Sequence, residues 1–321
     1  MENTLYLECY SGISGDMTVA ALLDLGADEK KLREALASLP LTGYRIEITE
    51  VGKSRVRARD FNVCLEVDNH DHDPDYLYGH THRHFHEEPH SHDGQHSHEE
   101  PHSHDGQHSH EEAHSHDGEH THDHAHVHAQ EEHHHHGPHR GMKEIREILS
   151  AGALTEGAKE RALAIFEVLA KAEAKVHGTT PEEVHFHEVG AVDSIIDIAA
   201  IGICLDDLGI TKVITPVLYE GEGTVRCQHG ILPIPVPAVA EIVSAYRIPL
   251  HRIGLQGEFV TPTGAATVAA MTTAWELPEI YRMIRVGIGA GKREYEGPGI
   301  LRAILIQEQE KTIGRNTQEG E

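Results

Sequence analysis

Aromatic residues make up only 5% of this 321-residue chain, which has a single tryptophan, and its apolar fraction is 38%, below the roughly 45–50% of an ordinary folded protein. Basic residues are also scarce, with 27 Lys and Arg against 53 Asp and Glu for a formal net charge of −26. That sign argues against nucleic acid as a partner, because binding a phosphate backbone requires clustered cations that displace counterions. No apolar run approaches the roughly 18–20 residues of a membrane span. The opening Met1-Glu2-Asn3-Thr4-Leu5 lacks the basic start and apolar core of a secretory signal, so no membrane is expected as a partner. Cysteine is limited to Cys9, Cys64, Cys204 and Cys227, scattered without C-x-x-C spacing, which suits neither a disulfide framework nor a zinc knuckle. Buried or half-buried thiols in a reducing cytoplasm are expected.

Histidine is abundant instead, and it is concentrated. Of the 31 histidines, 26 fall between His70 and His139, together with 16 Asp and Glu and one basic residue, Arg83. A 12-residue unit repeats there: HEEPHSHDGQHS at His86–Ser97, the same again at His98–Ser109, and HEEAHSHDGEHT at His110–Thr121. A solenoid repeat must bring apolar residues to bury against its neighbours, and this unit brings none. It cannot offset its ordering entropy, so residues 69–140 are expected to be a disordered insert. Pairs such as His90/His92, His102/His104 and His114/His116 offer overlapping, labile sites for Ni, Cu, Co or Zn, suited to storage, buffering or delivery.

The remaining sequence is long enough for one large or two ordinary domains. Residues 5–10 read as a strand entering the turn Ser11-Gly12-Ile13-Ser14-Gly15, and a helix follows from Asp16 to Leu25. Helices are predicted at 29–38, 142–150, 156–176, 189–208, 237–246 and 262–273, the last opened by Thr261 and Pro262. Strands are predicted at 44–51 and 56–67 around a turn at Gly52-Lys53-Ser54, then at 212–218, 281–288 and 300–306. This is an α/β chain with a mixed sheet flanked by helices. One domain, 1–68 plus 141–307, is interrupted by the insert, and 308–321 forms a frayed tail.

Three segments gather chemistry where turns meet helices. Ser11, Gly12, Ser14 and Gly15 free the backbone ahead of a helix N-terminus, which can receive a phosphate, unless Ser14 or Asp16 simply caps the helix. In VHFHEVGAVDSIID, His185 and His187 share a face on a strand, while Asp193 and Asp197 share one on a helix. With Glu188 they could form a compact metal or acid–base site, and Asp197 on an otherwise apolar helix is the hardest to dismiss. Glu220-Gly221-Glu222-Gly223-Thr224, His229-Gly230 and the downstream Thr261, Thr263 and Gly264 read as glycine-rich loops suited to a phosphorylated small molecule, with His229 a further metal ligand.

SGISGDM, the His-rich insert, HFHEVGAVDSIIDI, QHGILPIPVPA, EFVTPTGAA and VGIGAG, in this order, resemble the LarC family of nickel-insertion proteins, over 4–67 and about 140–306. The resemblance implies a nickel chelatase (a cyclometallase of the lyase class). Its substrate would be pyridinium-3,5-bisthiocarboxylic acid mononucleotide, its product the nickel-pincer cofactor of lactate racemase, and CTP with Mn or Mg would assist. Asp16, His187, Glu188 and Asp193 are then the candidate catalytic residues. Full-length family members continue into a C-terminal CTP-binding domain, so this chain reads as the N-terminal portion. That domain and lactate racemase pathway proteins are the partners implied, and a homo-oligomer is expected. A nickel store or metallochaperone, and an unrelated phosphate-ester enzyme, are the competing readings.

Overall fold

Leu5 and Leu7 project to one side of β1 (Asn3–Glu8) and Tyr6 to the other, and all three are buried. This is the alternation of a strand covered on both faces. The computed structural model describes residues 3–66, 140–186, 190–227, 229–294 and 296–309, which belong to one unit of the chain. After β1 come α1 (Gly15–Leu25), α2 (Glu29–Ala37), β2 (Tyr44–Lys53), β3 (Val56–Leu65), α3 (Met142–Ala151), α4 (Glu156–His177) and α5 (Val192–Asp207). They are followed by β4 (Ile210–Ile214), β5 (Leu218–Glu222), β6 (Thr224–Cys227), β7 (Gly230–Pro233), α6 (Pro237–Tyr246), β8 (Leu250–Gln256), α7 (Pro262–Met271), β9 (Tyr281–Ala290) and β10 (Ile300–Glu308).

Six strands form one mixed sheet in the order β2-β3-β9-β10-β1-β4. β1 runs antiparallel to β10 and parallel to β4, and β3 meets β9 in parallel. The principal core lies between this sheet and α1 and α5 and continues between α5 and α4, and Ile195, Ile196, Ile198 and Ile201 of α5 are fully buried. Each such side chain contributes about 1.5–3 kcal/mol of transfer free energy. Tyr6, Ile214, Ile304 and Ile306 form a smaller cluster on the other face. The alternating glycines of VGIGAG serve this packing: a Cβ on Gly287 or Gly289 would lie 2.1 Å from a backbone oxygen of α1. No helix among the described residues is long and apolar enough to cross a membrane.

The α/β class, the mixed sheet and the flanking helices match expectation, with differences that have physical causes. The β-turn falls on Ser54-Arg55, at φ 47° and 67°, and not on Gly52-Lys53-Ser54. Two consecutive positive φ values are what a two-residue hairpin in a right-twisted ribbon demands. The strand predicted over 212–218 is two strands, β4 and β5, separated by a break at Thr215-Pro216-Val217, since proline has no N–H for a ladder. Of Glu220–Thr224, predicted as loop, Glu220–Glu222 lie in β5 and Thr224 opens β6; β5 pairs in parallel with β8, and β6 forms a hairpin with β7. The insert and the tail beyond Gln309 lie outside the described residues.

Candidate functional site

The loop leaving β1 is stitched to a segment some 245 residues later, a separation read from Ile13 and Phe259. Ile13 donates its N–H to the Phe259 carbonyl at 2.9 Å, and Thr261 donates to the Ile13 carbonyl at 3.1 Å. Gly12 makes the approach possible: it sits at φ 80°, and a Cβ there would lie 2.0 Å from the Phe259 oxygen. Gly264 stands equally close to Ile13, 2.1 Å from its carbonyl oxygen. Thr261 caps α7 by accepting the Gly264 N–H at 3.1 Å, as its place before Pro262 leads one to expect.

At the other side of the loop, α1 begins at Gly15, where a Cβ would meet Asp197 Oδ2 at 2.7 Å and the Thr263 methyl at 3.0 Å. Ser14 is the N-cap residue, but its hydroxyl donates to Asp16 Oδ1 and does not cap the helix amides. Asp16 Oδ1 also accepts the Met17 N–H at 2.9 Å, which leaves Oδ2 facing Lys292 Nζ at 3.7 Å. Lys292 is the centre of the site. Burial alone would push its ammonium down, but Asp16, Asp197, Asp60 and Asp193 around it outweigh that and hold it above the ordinary lysine value. Burial and the Asp16 charge drive Asp197 well above the carboxylate range despite Lys292, which favours its neutral acid. Asp60 on β3 is pushed up by burial as well. The Lys292 side chain is 30% exposed.

A second buried acidic pair lies behind the loop. Glu220 Oε1 accepts three backbone N–H groups, from Gly221 and Phe259 at 2.8 Å each and from Val260 at 3.2 Å. Glu220 Oε2 is buried with no hydrogen-bond partner. Burial, with a contribution from Glu258, raises the carboxyl to about 7 against the lowering effect of the three N–H groups. Glu258 is itself ion-paired with Arg293 at 2.6 Å, next in sequence to Lys292.

The structure thus gathers Gly12, Gly15, Asp16, Asp193, Thr261, Thr263 and Gly264 from three predicted segments around one loop. The shared helical face of Asp193 and Asp197 is as expected, both acting on Lys292 from α5. His185 is exposed beside the start of α3 and stands apart from this group; its neighbour Phe186 makes a single bridge to Arg140 and no strand. His229 is at the β6–β7 turn, stacked near His177. His187, Glu188, His90, His92, His102, His104, His114 and His116 lie outside the described residues. Lys292, Asp60 and Arg293 were not singled out in the sequence, and Glu220 and Glu258 were named there only as members of glycine-rich segments. Lys292 directly follows VGIGAG, the one signal that could have found it. Cys9 and Cys204 are buried and Cys64 and Cys227 half-buried, all as free thiols.

Among the described residues, no three His, Cys, Asp or Glu side chains are grouped to hold a metal ion. The arrangement is instead one of proton chemistry: an ammonium kept charged by carboxylates of unequal acidity, beside the amide-bearing N-terminus of a helix.

Residues 5–319 match the family model described as nickel insertion protein. A relative from Alkaliphilus metalliredigens, named pyridinium-3,5-bisthiocarboxylic acid mononucleotide nickel insertion protein, is 43% identical over 96% of this chain and 61% of its own length. Proteins of the same name from Akkermansia muciniphila and Staphylococcus saprophyticus are 37% and 33% identical, over 96% and 97% of this chain and 61% and 62% of their own lengths. The chain therefore spans about three fifths of the length of these relatives. No solved structure matches. On the strength of the family match over nearly its whole length, the chain belongs to the nickel insertion protein family.

Proposed function

We propose that this chain performs the step for which its relatives are named, insertion of nickel into pyridinium-3,5-bisthiocarboxylic acid mononucleotide. The observation that carries the reading is the convergence of SGISGDM, VDSIID, EFVTPTGAA and the lysine after VGIGAG on one carboxylate–lysine site at the start of α1. The two thiocarboxylate sulfurs each donate a lone pair to nickel. The ring carbon between them gives up its proton, and the C–H electron pair becomes the nickel–carbon bond. That proton needs an acceptor, and the phosphate needs donors. Asp16, with Oδ2 turned to Lys292, and Asp193 are the described carboxylates we assign to proton transfer. His187 and Glu188 are the remaining candidates. The amides at the N-terminus of α1 and the Lys292 ammonium are assigned to the phosphate, with Thr263 and Gly264 lining the approach; earlier in the loop the Gly12 and Ile13 N–H groups donate to the Cys9 and Phe259 carbonyls. Thr261 is occupied in capping α7.

The reaction makes the protein a chelatase of the lyase class, working in the cytoplasm to supply the nickel-pincer cofactor of lactate racemase. CTP, with Mn or Mg, is the co-substrate, bound by a C-terminal domain that acts with this one. The histidines of the insert, as a domain of their own at 69–140, collect nickel and raise its effective concentration at the 1–68 plus 141–307 domain. Assembly as a homo-oligomer belongs to the same reading.

The test is a mass-spectrometric assay of the chain with nickel, CTP and the bisthiocarboxylate mononucleotide, with and without a separately expressed C-terminal portion of a full-length relative. The nickel adduct, with either arm, is the expected product. No adduct in either arm, with many nickel ions bound, would replace this reading with nickel storage.

A further inference from the structure

The motif QHGILPIPVPA is not absorbed by the carboxylate–lysine site. It carries His229 at the turn between β6 and β7, whose last and first residues, Cys227 and Gly230, pair directly. The hairpin tip holds the His229 ring 5.2 Å, centroid to centroid, from the ring of His177, at an interplanar angle of 34°. His177 is the last residue of α4, and Gly178 ends the helix in the left-handed conformation. One turn earlier Glu173 Oε2 stands 3.3 Å from His177 Nε2.

These features have the form of a metal-binding imidazole pair. A metal–nitrogen bond of about 2.1 Å along each ring's lone pair, with an angle of about 90–110° at the metal, separates two imidazole centroids by about 4.5–5.3 Å. The observed 5.2 Å falls in that range. A carboxylate on one ring nitrogen is the usual partner of a ligating histidine, and it orients the ring. The C-terminal end of a 22-residue helix adds a negative potential that favours a cation. Neither histidine belongs to the carboxylate–lysine group.

We propose that His177 and His229, with Glu173 orienting His177, form an open two-imidazole site that receives a nickel ion before transfer. The inference rests on the nickel-insertion reading above and adds a second locus to it. Two protein ligands leave the other coordination positions to water or to incoming sulfur. Such a site holds nickel loosely enough to pass on.

The experiment is carbethoxylation footprinting of the full chain with diethyl pyrocarbonate, read peptide by peptide by mass spectrometry across a nickel titration. Peptide resolution separates these two histidines from the 26 between His70 and His139. Nickel is expected to slow modification of His177 and His229 together, with one midpoint. In His177→Ala the protection of His229 should vanish, and in Glu173→Ala the midpoint should rise about tenfold or more. Two results would overturn the proposal: unchanged modification at nickel levels that protect the His70–His139 peptides, or persistent protection of His229 in His177→Ala. Adduct formation without protection would sink this site and leave the nickel-insertion reading standing; protection without adduct would do the reverse.

Discussion

Glu220→Gln changes one buried carboxyl to an amide of the same shape, so its effect on stability isolates a protonation. In the native state Oε1 accepts the N–H groups of Gly221, Phe259 and Val260, an acceptor role the glutamine oxygen keeps. Oε2 makes no hydrogen bond and is sealed from water, so ionisation there gains nothing from solvent. Burial accordingly raises the group from the ordinary 4.5 to about 7. A raised acid binds its proton more tightly when folded. Between these two pH values the native state holds a proton the unfolded chain has lost, so stability falls as pH rises across the window and is level above it. With about 1.4 kcal/mol per pH unit of displacement, the wild-type protein should lose about 2–3 kcal/mol from this one group between pH 5 and pH 8.

Glutamine does not titrate. Urea unfolding of the wild type and of Glu220→Gln at half-unit steps from pH 5 to pH 8.5 gives a difference curve free of every other titrating group. That difference should move in favour of the variant by about 2–3 kcal/mol as pH rises, with most of the change complete by pH 7. A difference that stays level with pH would refute the argument, because it would mean that Glu220 is ionised in the native state throughout. The loop held by Glu220 is the one paired with Ile13, so the same variant should retain nickel-adduct formation at pH 8 if the acceptor geometry is all the loop needs.

Gly12→Ala and Gly43→Ala share a positive φ, at 80° and 79°, but only the first places a methyl against another atom. Urea unfolding should show Gly43→Ala costing about 1–2 kcal/mol and Gly12→Ala about 1–3 kcal/mol more, the excess being steric. Lys292→Met should lower the rate of nickel-adduct formation about 100-fold or more by mass spectrometry, and Lys292→Arg should restore part of it, because the ammonium faces Asp16 and serves the reaction through its charge. Asp197→Asn should unfold within about 1 kcal/mol of the wild type at pH 5 and gain on it as pH rises, because burial already favours the neutral acid. A loss that grows with pH in that variant would show that the Asp197 carboxylate is the form the fold requires.

What was legible in the sequence was what neighbouring residues decide, and what was not depended on residues far apart. Asp193 and Asp197 could be assigned one helical face because a helix repeats every 3.6 residues, and an aspartate among isoleucines must answer for its burial. Thr261-Pro262 announced a helix start by the same local logic. Lys292 gave no such sign. It follows Gly291, just past the end of β9, and the four aspartates around it come from α1, β3 and α5, far from it in the chain. Asp60 lies in a strand that the sequence reads only as half of a hairpin, and the packing of α1 and α5 on that strand puts it next to Lys292. Glu220 was hidden by its neighbours: Glu-Gly-Glu-Gly has the composition of a loop, yet parallel pairing with β8, which begins 32 residues after β5 does, turns it into a strand. Gly221 permits this, since a Cβ there would lie 2.0 Å from the Gly257 oxygen. A glycine-rich run can therefore mean two things, a cradle for a ligand or a close approach of two pieces of the chain's own backbone. In VGIGAG and at Gly221 it means the second; in Ser11–Gly15 the second is seen and the first is what we propose. There Gly12 admits the backbone of Phe259 and Gly15 admits Asp197, while the amides at the start of α1 remain beside Lys292. The loop that holds β1 to the start of α7 is thus also the one that brings acid, ammonium and amide together, which is why a substitution at Gly12 is expected to act on stability and on nickel insertion at once.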